Sequence, residues 1–164
     1  MTPQGLMNSL RVRTYRDEQA AELIDRLCVD PVHVERWFPK ASLNGRTIDL
    51  RVVVVAGKAT HAVVRGSRHP ITNLHLGGTR MDVADLRSVI GEGRWREWLD
   101  TCEKAAARFS RTLMVGVDLL PGLGWRRHVI GEVNAFGDLL PRLTGLPDGP
   151  AAGMDTYAAQ VAAC

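Results

Sequence analysis

Cysteine is scarce in this sequence and badly spaced for pairing. Cys28, Cys102 and Cys164 are odd in number and far apart, and no C-x-x-C pair occurs. Neither a disulfide framework nor a zinc site is supported. Long apolar runs are missing as well. Nothing approaches the roughly 20 residues that span a bilayer, and the opening MTPQGLMNSLRVRTY has no apolar signal core. The expectation is a soluble cytoplasmic protein with no membrane partner. Aromatics make up 5% of the chain. They interleave too sparsely with the arginines to favour a nucleic-acid groove. There is no internal repeat, no low-complexity tract and no G-x-S-x-G nucleophile motif.

What is present suits one ordinary globular domain. The 164 residues are 45% hydrophobic and 24% charged, enough for a core under a solvated surface. The net charge of +3 comes from an excess of arginine, a residue suited to bidentate contact with carboxylate or phosphate.

Local patterns divide the chain into elements. Leu10–Tyr15, LRVRTY, alternates and predicts a strand. Asp17 is placed to cap a helix, DEQAAELIDRLC, with acid at its front. Val32–Phe38, VHVERWF, predicts a second strand that Pro39 ends. The Phe38–Pro39 joint marks a boundary between two subdomains, 1–38 and 39–164. A polar turn over Ser42–Arg46 follows. IDLRVVVVA and ATHAVVR, joined at Gly57-Lys58, predict a hairpin over Ile48–Arg65, with Asp49 and Arg51 sharing a face. The loop HPITNLHLGGTR leads to a short helix beginning at Asp82. Arg94–Phe109 carries Trp95, Trp98, Leu99, Cys102, Ala105, Ala106 and Phe109 at helical spacing, a core stripe. Pro141–Pro150 reads as loop, and a last helix follows Asp155. This order predicts an α+β fold with a largely antiparallel sheet flanked by helices.

The stretch Met114–Leu140, MVGVDLLPGLGWRRHVIGEVNAFGDLL, organises the rest. It reads as two apolar strands joined by a Gly-rich turn, each carrying acid. Glu132 and Asn134 are two apart and face the same way. If the strands pair around Trp125, Asp118 lies opposite Glu132. Opposed Cβ atoms sit about 5 Å apart, so two carboxylates there repel each other and something positive belongs between them. Two carboxylates and an amide carbonyl suit a hard cation. The plain alternative is a hairpin with polar residues at its wet end.

Several stretches together resemble the ATP-grasp superfamily, in the branch of ribosomal-protein glutamate ligases and glutathione synthetases. They are VERWFPK, IDLRVVVVAGKATHAVVR, TNLHLGGTR, VGVDLL and GEVN, in the family's order, and the resemblance covers nearly all of positions 10 to 140. It implies the C-terminal portion of an ATP-grasp-like fold, with residues 1–38 as a remnant of the lid subdomain and 39–164 as the metal- and nucleotide-binding subdomain. The implied activity is ATP-dependent ligation of a carboxylate substrate to an amine or peptide acceptor through an acyl-phosphate. The implied cofactors are ATP and Mg²⁺, with Mn²⁺ as a substitute. By the same resemblance Asp118, Glu132 and Asn134 are the metal ligands, and Arg51 and Arg65 are the catalytic cations near the phosphates and acyl-phosphate. Glu35, Arg36, Trp37 and Phe38 form the hinge that lines the adenine pocket. Asp49 is a nucleotide contact, and Asn73 belongs to the phosphate and metal surround.

Two departures bear on this. Only MTPQGLMNS precedes the first predicted strand, so Gly5 and Ser9 stand for the lid's Gly-rich loop and its lysine is missing. Ile71 stands where close relatives often carry an arginine. The expectation is weak or absent nucleotide binding by the chain alone, with a missing N-terminal segment or a second copy as partner. Plainer readings remain open. Trp37 and Phe38 suit core, Arg51 suits a structural pair with Asp49, Arg65 suits surface, and Asn73 suits a turn. His75 is a lone loop histidine, and Arg126, Arg127 and His128 suit a basic hairpin tip. The rival function is a non-catalytic module using a basic surface, with Arg11, Arg13 and Arg16, for nucleic acid or an acidic partner.

Overall fold

The structure, a computed structural model, describes residues 13–135 and 140–164. The chain divides into two compact units between Phe38 and Pro39. In the first, helix α1 spans Asp17–Leu27, with Arg16 in the cap position and no side-chain cap bond. Asp17 is thus the first helical residue rather than the cap. Residues 13–15 and 31–39 form no strand, which corrects the strand expected over Val32–Phe38 and the described part of the one expected over Leu10–Tyr15. Positions 10–12 of the first lie outside the described residues, as do Gly5, Ser9 and Arg11. VHVERWF alternates, but a strand without a neighbour to accept its hydrogen bonds does not persist.

The second unit is built on a six-stranded antiparallel sheet flanked by helices. Its strands are β1 (Ser42–Leu43), β2 (Arg46–Val55), β3 (Lys58–Ser67), β4 (Thr79–Met81), β5 (Met114–Pro121) and β6 (His128–Asn134). The order is β4-β3-β2-β5-β6, with β1 also on β2. The β2–β3 turn falls at Ala56 and Gly57, both at positive φ, one residue before the expected position. That conformation is the primed turn whose twist fits a tight hairpin. Strand β4 lies in a stretch expected to be loop, since three residues are too few to show alternation.

Helices α2 (Val83–Ile90) and α3 (Glu92–Ala106) lie against one face. Asp82 caps α2 by accepting from the Ala84 N–H. Ile48, Leu50, Val52 and Val54 of β2 meet Trp95, Trp98, Leu99 and Cys102 of α3 in the main core. Phe109, expected in that stripe, is exposed beyond the helix end. The other face begins as a smaller core of Val53, Val55, Val63, Met114 and Leu140. The C-terminal segment covers part of it, with α4 (Thr156–Ala162) capped by Asp155, which accepts from the Ala158 N–H. His61 fastens this segment to the sheet, donating from Nε2 to the Met154 carbonyl at 3.1 Å. Because residues alternate faces along a strand, Asp49 and Arg51 continue the row begun by Val53 and Val55. The second face therefore changes from apolar to ionic along its length. No helix among the described residues is long and apolar enough to cross a membrane.

Candidate functional site

The ionic half of that face draws on four strands. Arg65 of β3 stands opposite Asp49 of β2. Arg51 of β2 stands opposite Asp118 of β5. Asp118 in turn stands opposite Glu132 of β6, with Asn134 opposite Gly116. This is the register the hairpin reading requires. A bulge follows between Asp118 and Leu119, so the regular pairing that aligns the acids ends there.

The positive charge expected beside Asp118 is supplied by two guanidinium groups. Arg51 engages both carboxylate oxygens, Nε donating to Oδ1 and Nη2 to Oδ2, the latter at 3.0 Å. Arg65 donates from Nη2 to the same Oδ2 at 2.8 Å. Arg65 also donates from Nε to Asp49 Oδ1 at 2.7 Å. The other Asp49 oxygen accepts from the Thr72 hydroxyl. Lys40 reaches the same carboxylate at 3.7 Å and donates to Thr72 Oγ1 at 2.9 Å. Arg51 thus pairs across strands with Asp118, not along its own strand with Asp49.

This ladder is desolvated. Asp49 is 4% exposed and Asp118 6% exposed. Burial alone would lower the Arg65 guanidinium, but the hydrogen bonds and charges of Asp49 and Asp118 outweigh it and hold it above its ordinary value. Burial pulls the Lys40 ammonium below its ordinary value, opposed by Asp49 and assisted by Arg65. Three cations share two buried carboxylates, leaving an excess of positive charge. A buried ion network contributes little net stability compared with apolar side chains of the same shape. Valines would fill these positions as they do at 53 and 55, so packing alone does not explain the charges.

Over the ladder lies a cleft of about 270 Å³, lined by Arg51, Arg65, Asn73, Leu74, His75, Glu132, Asn134 and Leu140. Arg51 and Arg65 each commit Nε and Nη2 to carboxylates. Their Nη1 groups make no hydrogen bond among the described residues. Two immobilised cations thus keep donors in reserve at one cavity. The Glu132 carboxylate and the Asn134 amide also have no partner among the described residues. Asn73 accepts from the His75 N–H at 2.8 Å, the turn-forming role, and lines the cleft as well. Its loop closes through Gly77 at positive φ and through Gly78, where a Cβ would lie 2.6 Å from the Thr72 carbonyl oxygen.

Five of the expected residues therefore meet at one cavity: Arg51, Arg65, Asn73, Glu132 and Asn134. Asp49 and Asp118 lie beneath it as anchors of the arginines. Glu35, Arg36, Trp37 and Phe38 belong to the first unit, in chain without regular structure, with Trp37 61% exposed. Trp37 is accordingly not core. Lys40 and Thr72 join the site unannounced by the sequence, because nothing local distinguishes a buried lysine or threonine from a surface one.

No group of three or more His, Cys, Asp or Glu among the described residues is placed to hold a metal. Asp118, Glu132 and Asn134 together offer two carboxylates and one amide carbonyl. A carboxylate has about four lone-pair positions, and three on Asp118 are occupied. One remains on Oδ1, beside an uncommitted carboxylate and an uncommitted amide. These donors fit a hard cation in type. Compared with models of known protein families the sequence matches none, and a comparison with curated proteins finds no match.

Proposed function

We propose that this chain carries the C-terminal portion of an ATP-grasp carboxylate–amine ligase, binding the phosphate end of ATP in the cleft above Arg51 and Arg65. The observation that carries the reading is the pair of reserved Nη1 groups, fixed by buried carboxylates, beside the uncommitted Glu132 and Asn134. A guanidinium held rigid by a carboxylate pays little ordering cost when it accepts an oxyanion.

In the proposed reaction a substrate carboxylate oxygen attacks the γ-phosphorus of ATP and ADP leaves. An amine then attacks the acyl carbon, and phosphate leaves with the bonding electron pair. Both steps gather negative charge on oxygen. Arg65, anchored to Asp49 and Asp118, would stabilise that charge from a fixed position, which makes its help available without reorganisation. Arg51 would do the same from the neighbouring strand. The Asn73 amide, turned by its bond from His75 N–H, would orient the phosphate. When bound, Mg²⁺ would offset phosphate charge from Asp118 Oδ1, Glu132 and Asn134.

The test is a titration of the isotope-labelled chain with Mg-ATP, followed by amide chemical shifts. Shifts concentrated at residues 51, 65, 73–75 and 132–134, and lost in Arg65→Met, are expected. An unchanged spectrum at millimolar Mg-ATP would remove the ligase reading.

A further inference from the structure

We propose that the Arg51–Asp118 pair is a counter-ion switch that makes a divalent cation and an oxyanion bind this cleft together. The inference rests on the ligase reading of the same cleft and adds to it how the two ligands are coupled. Arg51 and Arg65 differ in how they are held. Arg65 divides its donors between Asp49 and Asp118 and keeps one anchor if the other is withdrawn. Among the described residues all the side-chain bonds of Arg51 go to Asp118. Arg51 is therefore the displaceable member of the ladder.

Asp118 has the converse problem. Arg51 covers both of its oxygens, and a cation approaching Oδ1 meets the guanidinium charge. A cation alone must compete with Arg51 for Asp118 and leave that arginine without a counter-ion at a largely buried site. An oxyanion alone reaches the reserved Nη1 of an Arg51 whose charge Asp118 already neutralises, so one cation must serve two anions. Arriving together, the cation takes Asp118 and the oxyanion takes Arg51, and each charge keeps an opposite neighbour. Glu132 and Asn134 stand ready for the cation, and the cleft beside Arg51 for the anion. Either ligand should strengthen the other, reciprocally.

The experiment measures bare Mn²⁺ binding by electron paramagnetic resonance in wild type, Arg51→Gln and Arg80→Gln. Arg80 stands opposite Arg65 on the same face but donates to the Pro141 carbonyl, so it controls for loss of charge alone. Arg51→Gln is expected to bind Mn²⁺ about tenfold tighter than wild type, within the usual range of coupling, with Arg80→Gln near wild type. Calorimetry with the non-hydrolysable ATP analogue AMPPNP should show that Mn²⁺ strengthens its binding much less in Arg51→Gln than in wild type. Arg51→Lys keeps the charge but cannot span both carboxylate oxygens. It should also bind Mn²⁺ more tightly, and it serves if the glutamine variant does not fold. Unchanged Mn²⁺ affinity in both Arg51 variants, with wild type still binding Mg-AMPPNP, overturns the switch and leaves the ligase reading standing. No Mn²⁺ binding in any variant and no Mg-AMPPNP binding to wild type removes both.

Discussion

Asp118 and Glu132 face each other across β5 and β6, yet their environments are opposite. Asp118 is buried and held by two arginines, whereas Glu132 is exposed at the sheet edge with no partner among the described residues. The difference follows from strand order: β5 lies between two strands, while β6 has a neighbour on one side only.

This separates two substitutions that look alike in sequence. Asp118→Ala leaves two largely buried guanidinium groups short of their counter-ion, and breaking a buried pair costs about 3–5 kcal/mol. Glu132→Gln removes an exposed charge that has no partner among the described residues. Urea denaturation should show a large loss of midpoint for Asp118→Ala and almost none for Glu132→Gln. Both should weaken Mg-ATP binding.

Gly78 provides a test that touches no ligand-facing side chain. A Cβ there would sit 2.6 Å from the Thr72 carbonyl oxygen and 2.9 Å from that of Asn73. Backbone cannot retreat as a flexible side chain can, so Gly78→Ala should displace the 72–78 loop. A cost of about 1–3 kcal/mol is expected, as for other overpacked sites. The same spectrum that reports ligand binding should show Thr72 and Asn73 shifted before ligand is added.

Acid should loosen the C-terminal segment through His61. This ring is fully buried, its Nε2–H donates to the Met154 carbonyl, and Nδ1 lies 2.9 Å from the Thr60 hydroxyl. Burial lowers its pKa below the ordinary 6.5, opposed by the Met154 bond and by Asp155. The unfolded chain therefore takes up the proton first as pH falls. Stability from the neutral ring is complete above the unfolded value and is lost as pH drops from there toward the lowered folded value. Thermal melts across that window should slope for wild type and flatten for His61→Gln, whose amide keeps a donor toward Met154.

The three cysteines should divide by burial. Cys102 is inaccessible, and burial pushes its thiol up to about 12, with Asp118 and Glu103 adding to the shift. Cys28 and Cys164 are exposed. Alkylation at neutral pH should label the two exposed thiols in the native protein and reach Cys102 only on denaturation, since the thiolate is the reactive form.

Much of the second unit is legible in the sequence because its signals are local. The β-branched run of β2, the tight turn leading into β3, the 3.6-residue stripe of α3 and the cap at Asp155 act over a few residues. Alternation alone puts Asp49 with Arg51, and Glu132 with Asn134, on common faces. Spacing sets Asp118 opposite Glu132 only if the strands pair around Trp125. In the fold Pro121 pairs with His128, and the bulge between Asp118 and Leu119 supplies the one-residue shift that brings the two acids together.

Alternation also misleads at VHVERWF, because a strand exists only where another accepts its hydrogen bonds, and no local signal says whether one does. Tertiary structure alone decided which cation meets which carboxylate. β2 is central and takes β3 on one side and β5 on the other, which brings Asp118 to Arg51 across 67 residues of chain. Burial then fixed the roles. Asp49 and Asp118 went under the surface as anchors, while Arg51 and Arg65 kept donors at the cleft. Those outcomes depend on long-range pairing and on the exclusion of water, neither of which is written in any one segment.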